Sequence, residues 1–254
     1  MTWIKKKLYL IGIPISLGLS IFSTVSVRAN SLTELVGMEK VHTWKISQTF
    51  KTPNRGTPPA TAGGATRGSC AQKAKGLIPL IPKEKLGLTL KERPTFFWHI
   101  SESDAKTAEF LLLDDNDDVI YETNLNIPKE QGIFAFTLPE EAPGLKINKR
   151  YNWYLSVSCS SNESDETMTV AGWVERTKPN LAMRMKLNKF EPKYRSKIYT
   201  EAGIWHEAIA SVAAQRCSSP DDSNIMTNWN KLLTSVGLSK VASEPLNNIC
   251  NVKN

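Results

Sequence analysis

Histidine is scarce in this 254-residue sequence, and the arrangements in which it does chemistry are missing. Only His42, His99 and His206 occur, in separate segments. His206-Glu207 opens like an HExxH zinc-protease helix, but the position of the second histidine is Ala210, so that reading fails. There is no GxSxG nucleophile elbow, no GxxxxGK[ST] phosphate loop and no GxGxxG fingerprint. A Ser-His-Asp set is assembled in space rather than along the chain, and no spacing here argues for one. His99, beside Trp98 in a strand-like run, is expected to be a structural histidine. No catalytic residue and no cofactor is implied.

Cysteine is sparse too. Cys70, Cys159, Cys217 and Cys250 contain no CxxC and no zinc-ligand spacing with histidine. An even number in an exported chain reads first as disulfides. Three pairings are open, and the sequence does not choose among them. Cys70–Cys159 with Cys217–Cys250 is the expectation, because each pair then staples one region; a swap between regions is the alternative.

Long apolar runs are absent beyond the N-terminus. Lys5-Lys6-Lys7 precede an apolar stretch, Leu8 to Phe22, and Val27 and Ala29 supply small side chains at a signal-peptidase site after Ala29. This is the signal-peptide pattern. The stretch is short of the roughly 20 residues of a spanning helix, and Pro14 interrupts it. Residues 1–29 are thus expected to be removed on export to the periplasm or beyond, leaving no other membrane association. The leader also holds much of the charge. The chain is +7, and Lys5, Lys6, Lys7 and Arg28 contribute 4, so the remainder is 7 − 4 = +3. That surplus is too mild to imply nucleic acid.

Residues 30–75 are expected to be flexible. Positions 51–69 in particular are Gly, Pro, Thr and Ala with no large apolar side chain, and cannot build a core. From Leu77 onward the texture is short β-like runs separated by Asp, Asn, Pro and Gly: 77–81, 86–90, 95–100, 107–113, 118–124, 132–138, 151–159 and 167–175. Strands without intervening helices imply an antiparallel β-sandwich over residues 76–178. Leu145 six residues before Tyr151 resembles the tyrosine corner of immunoglobulin-like and fibronectin type III-like domains, in which the phenol bonds back to the backbone. Alternation places Tyr151, Trp153, Leu155 and Val157 on the core side. It places Asn152, Tyr154, Ser156 and Trp173 on the more polar side.

After Pro179 the periodicity becomes helical. Asn180 is a candidate cap for a helix at 181–189, and Pro192 suits the first turn of the next. Gly203 breaks that helix, a third carries Trp205, Ala208, Ile209 and Val212, and a fourth carries Ile225, Trp229, Leu232 and Leu233 before Gly237. Gly203-Ile204-Trp205 with Ala208-Ile209 and Pro220 resembles a tetratricopeptide hairpin. Only about one and a half repeats fit, whereas such arrays need about three to stand alone. The region 179–254 is therefore expected to dock on the sandwich, with Trp173 and Tyr154 as candidate docking residues.

Two clusters are candidate sites. Asp114, Asn116 and Asp118 could offer oxygens to calcium, but the loop lacks the EF-hand glycine (Val119 stands there), and a solvated hairpin tip is the plainer reading. Phe97, Tyr154 and Trp173 are candidate partner- or sugar-stacking aromatics, against the alternative of packing. The carboxylate pairs Glu102/Asp104 and Glu163/Asp165 are the residues on which a glycan-processing alternative would rest.

Taken in order, Cys70 after the Gly/Thr segment, Leu77–Pro82, Arg93-Pro94-Thr95-Phe96-Phe97-Trp98, Leu113-Asp114-Asp115, Phe136–Pro139, Lys149–Tyr154, Gly172-Trp173-Val174 and Gly203-Ile204-Trp205 resemble the cyanobacterial family known as domain of unknown function 928. The resemblance spans about residues 50–250. It implies an exported envelope or secreted protein and carries no activity or functional residues with it. The expectation is a non-enzymatic envelope interaction or structural module whose partner is another envelope protein or a polysaccharide. A carbohydrate-binding or glycan-processing protein is the alternative.

Overall fold

A computed structural model describes residues 49–55, 76–101, 105, 107–127, 130–158 and 167–251. All belong to the compact unit Lys45–Asn254. The Ala29 cleavage site, Cys70, Cys159 and the two carboxylate pairs lie outside the described residues.

Eight strands form: β1 (Leu77–Pro79), β2 (Leu86–Thr89), β3 (Thr95–Ile100), β4 (Thr107–Leu113), β5 (Val119–Asn126), β6 (Gly132–Thr137), β7 (Arg150–Ser158) and β8 (Thr167–Arg176). They build a three-stranded sheet, β1-β3-β6, and a five-stranded sheet, β2-β8-β7-β4-β5. The sheets stack face to face on one aromatic core. Phe96 and Trp98 of the small sheet meet Phe110 and Trp153 of the large one, with Phe96–Phe110 centroids at 5.1 Å and Trp98–Trp153 at 6.0 Å. The inward set is the one alternation predicts, Tyr151, Trp153, Leu155 and Val157. Opposite Trp153 stands Gly172. A Cβ there would lie 2.6 Å from the Trp153 ring and 2.7 Å from Ile81, so the indole occupies the space a side chain would need. The Tyr151 hydroxyl accepts the Lys146 N–H at 3.0 Å, the bond back to the backbone that the corner motif requires.

One strand departs from the antiparallel expectation. β2 runs parallel to β8, with Leu86 opposite Trp173 and Thr89 opposite Arg176. After β1 the chain turns through Pro82–Lys85 and crosses to the other sheet instead of doubling back as a hairpin. Period-2 patterning reports faces and is silent on which neighbour a strand joins.

The C-terminal part is helical: α1 (Leu181–Lys189), a 3-10 turn at Pro192–Tyr194, α2 (Arg195–Ala202), α3 (Trp205–Ser218) and α4 (Ser223–Ser235). Asn180 caps α1 by accepting the Met183 N–H at 2.8 Å, and Asp222 caps α4. Gly203 separates α2 from α3 at φ +72°, a left-handed conformation suited to glycine. Cys217 and Cys250 are disulfide-bonded, tying the end of α3 to the C-terminal segment.

Among the described residues, no core cluster joins these helices to Trp173 or Tyr154. Helices α3 and α4 cover the outer face of the small sheet, where Phe97 and Ile133 join Trp205, Ile209, Val212, Trp229, Leu232 and Leu233 in a second core. The first turn of α3 is also bonded to strands of both sheets. The Trp205 indole donates to the Leu80 carbonyl at 2.8 Å, and His206 Nδ1 to the Thr95 carbonyl at 2.8 Å. Glu207 accepts the Thr89 hydroxyl at 2.7 Å and the Leu90 N–H at 3.2 Å. A third, smaller core joins Leu88 of β2 to Met183, Ile198 and Ile204.

Residues 49–55 depart from the flexible segment expected over 30–75. Phe50 is buried edge-on against Trp205, with centroids at 5.0 Å, and its N–H donates to Ser235 Oγ. Arg55 reaches the buried Glu175 at 3.0 Å and Thr177 at 3.2 Å, and Arg150 reaches the other Glu175 oxygen at 3.0 Å. Phe50, the paired Arg55 and the Lys51 N–H, which donates to the Thr200 carbonyl at 3.3 Å, seat a stretch whose composition is otherwise linker-like.

Candidate interaction surface

The candidate residues from the sequence are dispersed. Phe97 is buried on the outer face of the small sheet, beneath α3 and α4. Tyr154 and Trp173 do share the outer face of the large sheet, with Asn152 directly opposite Trp173 in register. Trp173 is only 7% exposed, whereas Tyr154 is half-buried and accepts the Asn152 Nδ2 hydrogen bond at 2.6 Å. Asn152 Oδ1 and Trp173 Nε1 are buried without a hydrogen-bond partner among the described residues.

Asp114, Asn116 and Asp118 form the β4–β5 hairpin tip. The Asp114 carboxylate accepts the Asn116 N–H at 2.8 Å and the Asp118 N–H at 3.1 Å, and Asp115 pairs with Lys149. The oxygen that would lead a calcium loop is thus committed to its own turn. No group of three or more acidic, histidine or cysteine residues converges as a metal site among the described residues.

The His206-Glu207 dipeptide is buried at the junction of α3 with the sheets. Burial lowers the His206 pKa to about 4, although its bond to the Thr95 carbonyl opposes this. Burial likewise pushes the Glu207 carboxyl up against the opposing bonds from Thr89 and Leu90. Both side chains face the interior and serve packing.

A different surface stands out. Helix α1 carries two apolar stripes. At about 100° per residue, Leu181 and Met185 share one side, and Met183 and Leu187 lie about 160° away. Met183 and Leu187 pack inward on the Leu88 cluster. Leu181 and Met185 face outward, 67% and 63% exposed. Among the described residues the exposed large hydrophobics are Val119, Leu181, Met185 and Tyr194, so three of the four lie in this one stretch. A shallow depression beside them is lined by Ala182, Met185, Lys186, Asn188, Lys189 and Phe190.

Cations frame the outward stripe. Arg184 lies on one flank and Lys186 and Lys189 on the other, all exposed. The Lys189 ammonium lies 5.9 Å from the Phe190 ring centre and that of Lys193 lies 5.1 Å from Tyr194. Lys193 also pairs with Glu191 at 3.0 Å, which raises its pKa. Residues 178–201 hold Lys178, Arg184, Lys186, Lys189, Lys193, Arg195 and Lys197 against Glu191 and Glu201, or 7 − 2 = +5. Residues 30–254 total +3, so everything else from residue 30 sums to 3 − 5 = −2. The averaged +3 concealed a concentrated patch, and a running charge sum along the sequence was the signal that could have found it.

Comparisons add little about chemistry. No curated protein matches the sequence. Two structures of Parabacteroides merdae β-glucuronidase share 12% and 10% identity over 33% and 44% of this chain, with a TM-score of 0.21 each. The chain spans only 11% and 21% of their length. A CARDB domain from Pyrococcus furiosus, in complex with di-metal ions, shares 12% identity over 37% of this chain and 86% of its own, with a TM-score of 0.23. Scores at this level carry no argument about this chain. The family comparison is of another order, because the model of the family described as Domain of Unknown Function (DUF928) matches residues 62–246, which include both stacked sheets and all four helices, and the chain belongs to that family.

Proposed function

We propose that the protein is an exported, non-enzymatic interaction module of the cell envelope that uses α1 as its contact face. The observation that carries this reading is the exposure of Leu181 and Met185 on a helix already anchored through its opposite side. Apolar side chains gathered on an exposed surface and rimmed by polar residues mark sites of association. Export is supported by the leader pattern of residues 1–29 and by the Cys217–Cys250 disulfide. The tyrosine corner supports an immunoglobulin-like reading of the stacked sheets.

A photo-cross-linking residue placed at Met185 in living cells is expected to capture envelope material that the same residue at Val119 does not. Equal capture at the two sites would sink the assignment of α1 as the contact face.

A second reading, carbohydrate binding, is favoured by one observation. Asn152 Oδ1 and Trp173 Nε1, an acceptor and a donor, are neighbours on one sheet face beside Tyr154 and have no partner among the described residues. Binding to envelope polysaccharide that survives changes in α1 and is lost in Tyr154→Ala would favour this reading instead.

A further inference from the structure

We infer that the α1 face docks on an anionic lipid surface, with Leu181 and Met185 entering the headgroup boundary and the surrounding lysines and arginines over the lipid phosphates. The inference rests on the reading of α1 as a contact face and names what that face contacts. It goes beyond the expectation that the chain meets a membrane only through its leader.

Charge is the first argument. The stretch 178–201 is +5, while the rest of the chain from residue 30 is −2. A negatively charged plane therefore attracts this stretch more than the rest of the chain, and basic clusters beside apolar residues gain from both attraction and burial. The shape of the patch is the second. Leu181 and Met185 project from the helix at 67% and 63% exposure. Projecting side chains can enter a fluid boundary, which needs no matching cavity.

Composition separates a lipid surface from an acidic protein. Five of the seven cations are lysine, namely Lys178, Lys186, Lys189, Lys193 and Lys197, and two are arginine. Protein interfaces favour arginine, whose planar fork fixes bidentate geometry, and are depleted in lysine. Mobile headgroups need no fixed geometry, and a lysine stem can lie along apolar surface while its ammonium reaches the phosphates. The ammonium groups of Lys189 and Lys193, each within 6 Å of the rings of Phe190 and Tyr194, have the apolar-body and charged-tip arrangement of an interfacial segment. The ion pairs on the patch do not neutralise it. Glu191 faces Lys193, and Glu201 is shared by Lys186 at 3.4 Å and Lys197 at 3.8 Å.

The test is vesicle flotation of the full protein as recovered from cells. It compares equimolar phosphatidylglycerol and phosphatidylcholine vesicles with pure phosphatidylcholine vesicles, at low and high salt. Wild type should float with the anionic vesicles at low salt, and high salt or neutral vesicles should release most of it. The triple variant R184E/K186E/K189E should lose binding at least about tenfold, because each cation near an anionic surface adds to the attraction and each glutamate opposes it. L181S/M185S should lose it several-fold with the salt dependence retained. The leader is the same in every protein compared, so the differences report α1 alone. An unchanged thermal melt verifies folding of the variants, whose substituted residues are exposed.

Equal flotation of wild type and triple variant, or equal binding to neutral vesicles, overturns the lipid inference. If vesicles are ignored but a protein cross-linked at Met185 is lost in the triple variant, the lipid inference fails and the contact-face reading stands. If neither vesicles nor cross-links respond to α1, both fail.

Discussion

Helix α3 places Trp205, Ala208, Ile209 and Val212 at almost complete burial against the small sheet, whereas α1 leaves Leu181 and Met185 in the open. Both helices carry apolar residues at helical spacing, and both belong to the same C-terminal part. The difference lies in what each has to cover. The outer face of the small sheet exposes Phe97, Ile78 and Ile133, an area that α3 and α4 together close. Helix α1 meets the small cluster of Leu88, Ile198 and Ile204, where Met183 and Leu187 are enough. Its other stripe, Leu181 and Met185, is left exposed.

The contrast can be broken most severely at α3. Trp205→Ala removes a buried indole, its bond to Leu80 and the edge contact with Phe50, and is expected to cost about 3–5 kcal/mol, measured by denaturant unfolding.

Acid should act on the same junction. His206 is neutral in the folded state, with a pKa lowered to about 4 from 6.5, so the unfolded chain takes up the proton first as the pH falls. Its contribution is therefore present above pH 6.5 and is lost between 6.5 and about 4, by about 3 kcal/mol in total. Glu207, pushed upward by burial, has the opposite sign and regains stability as it protonates. Unfolding followed across this window should show a shallower acid loss in His206→Gln than in wild type. An identical slope would mean that His206 is not held neutral.

A smaller effect is expected between the sheets. Gly172→Val puts atoms where the Trp153 ring lies and should cost about 1–3 kcal/mol, read as a lower midpoint with an unchanged denaturant slope. The smallest belongs to α1. L181S/M185S should alter stability by less than about 0.5 kcal/mol, since both side chains are mostly exposed. A large loss there would erase the comparison, because the stripe would then be structural.

Much of the fold was legible. The strand periodicity of β3, β4 and β7, the Asn180 cap and the Gly203 break are local signals, and each lies where the structure has it. The parallel pairing of β2 with β8 was not legible, because pairing partners are chosen by how the chain crosses between sheets. The seating of Phe50 and Arg55 was hidden within a linker-like composition. The exposed stripe was hidden by symmetry: Leu181/Met185 and Met183/Leu187 are equivalent pairs at i, i+4 spacing, and no periodicity argument prefers either.

By itself, then, the sequence determined the strand and helix segments, the inward set Tyr151, Trp153, Leu155 and Val157, and the family. These follow from the period of two or 3.6 residues and from short motifs. Tertiary structure alone decided which sheet the helices cover, which stripe of α1 is spent on the core, and that Phe97 and Trp173 are enclosed. The physical reason is that burial depends on the area another element presents, and that area exists only once the sheets have stacked.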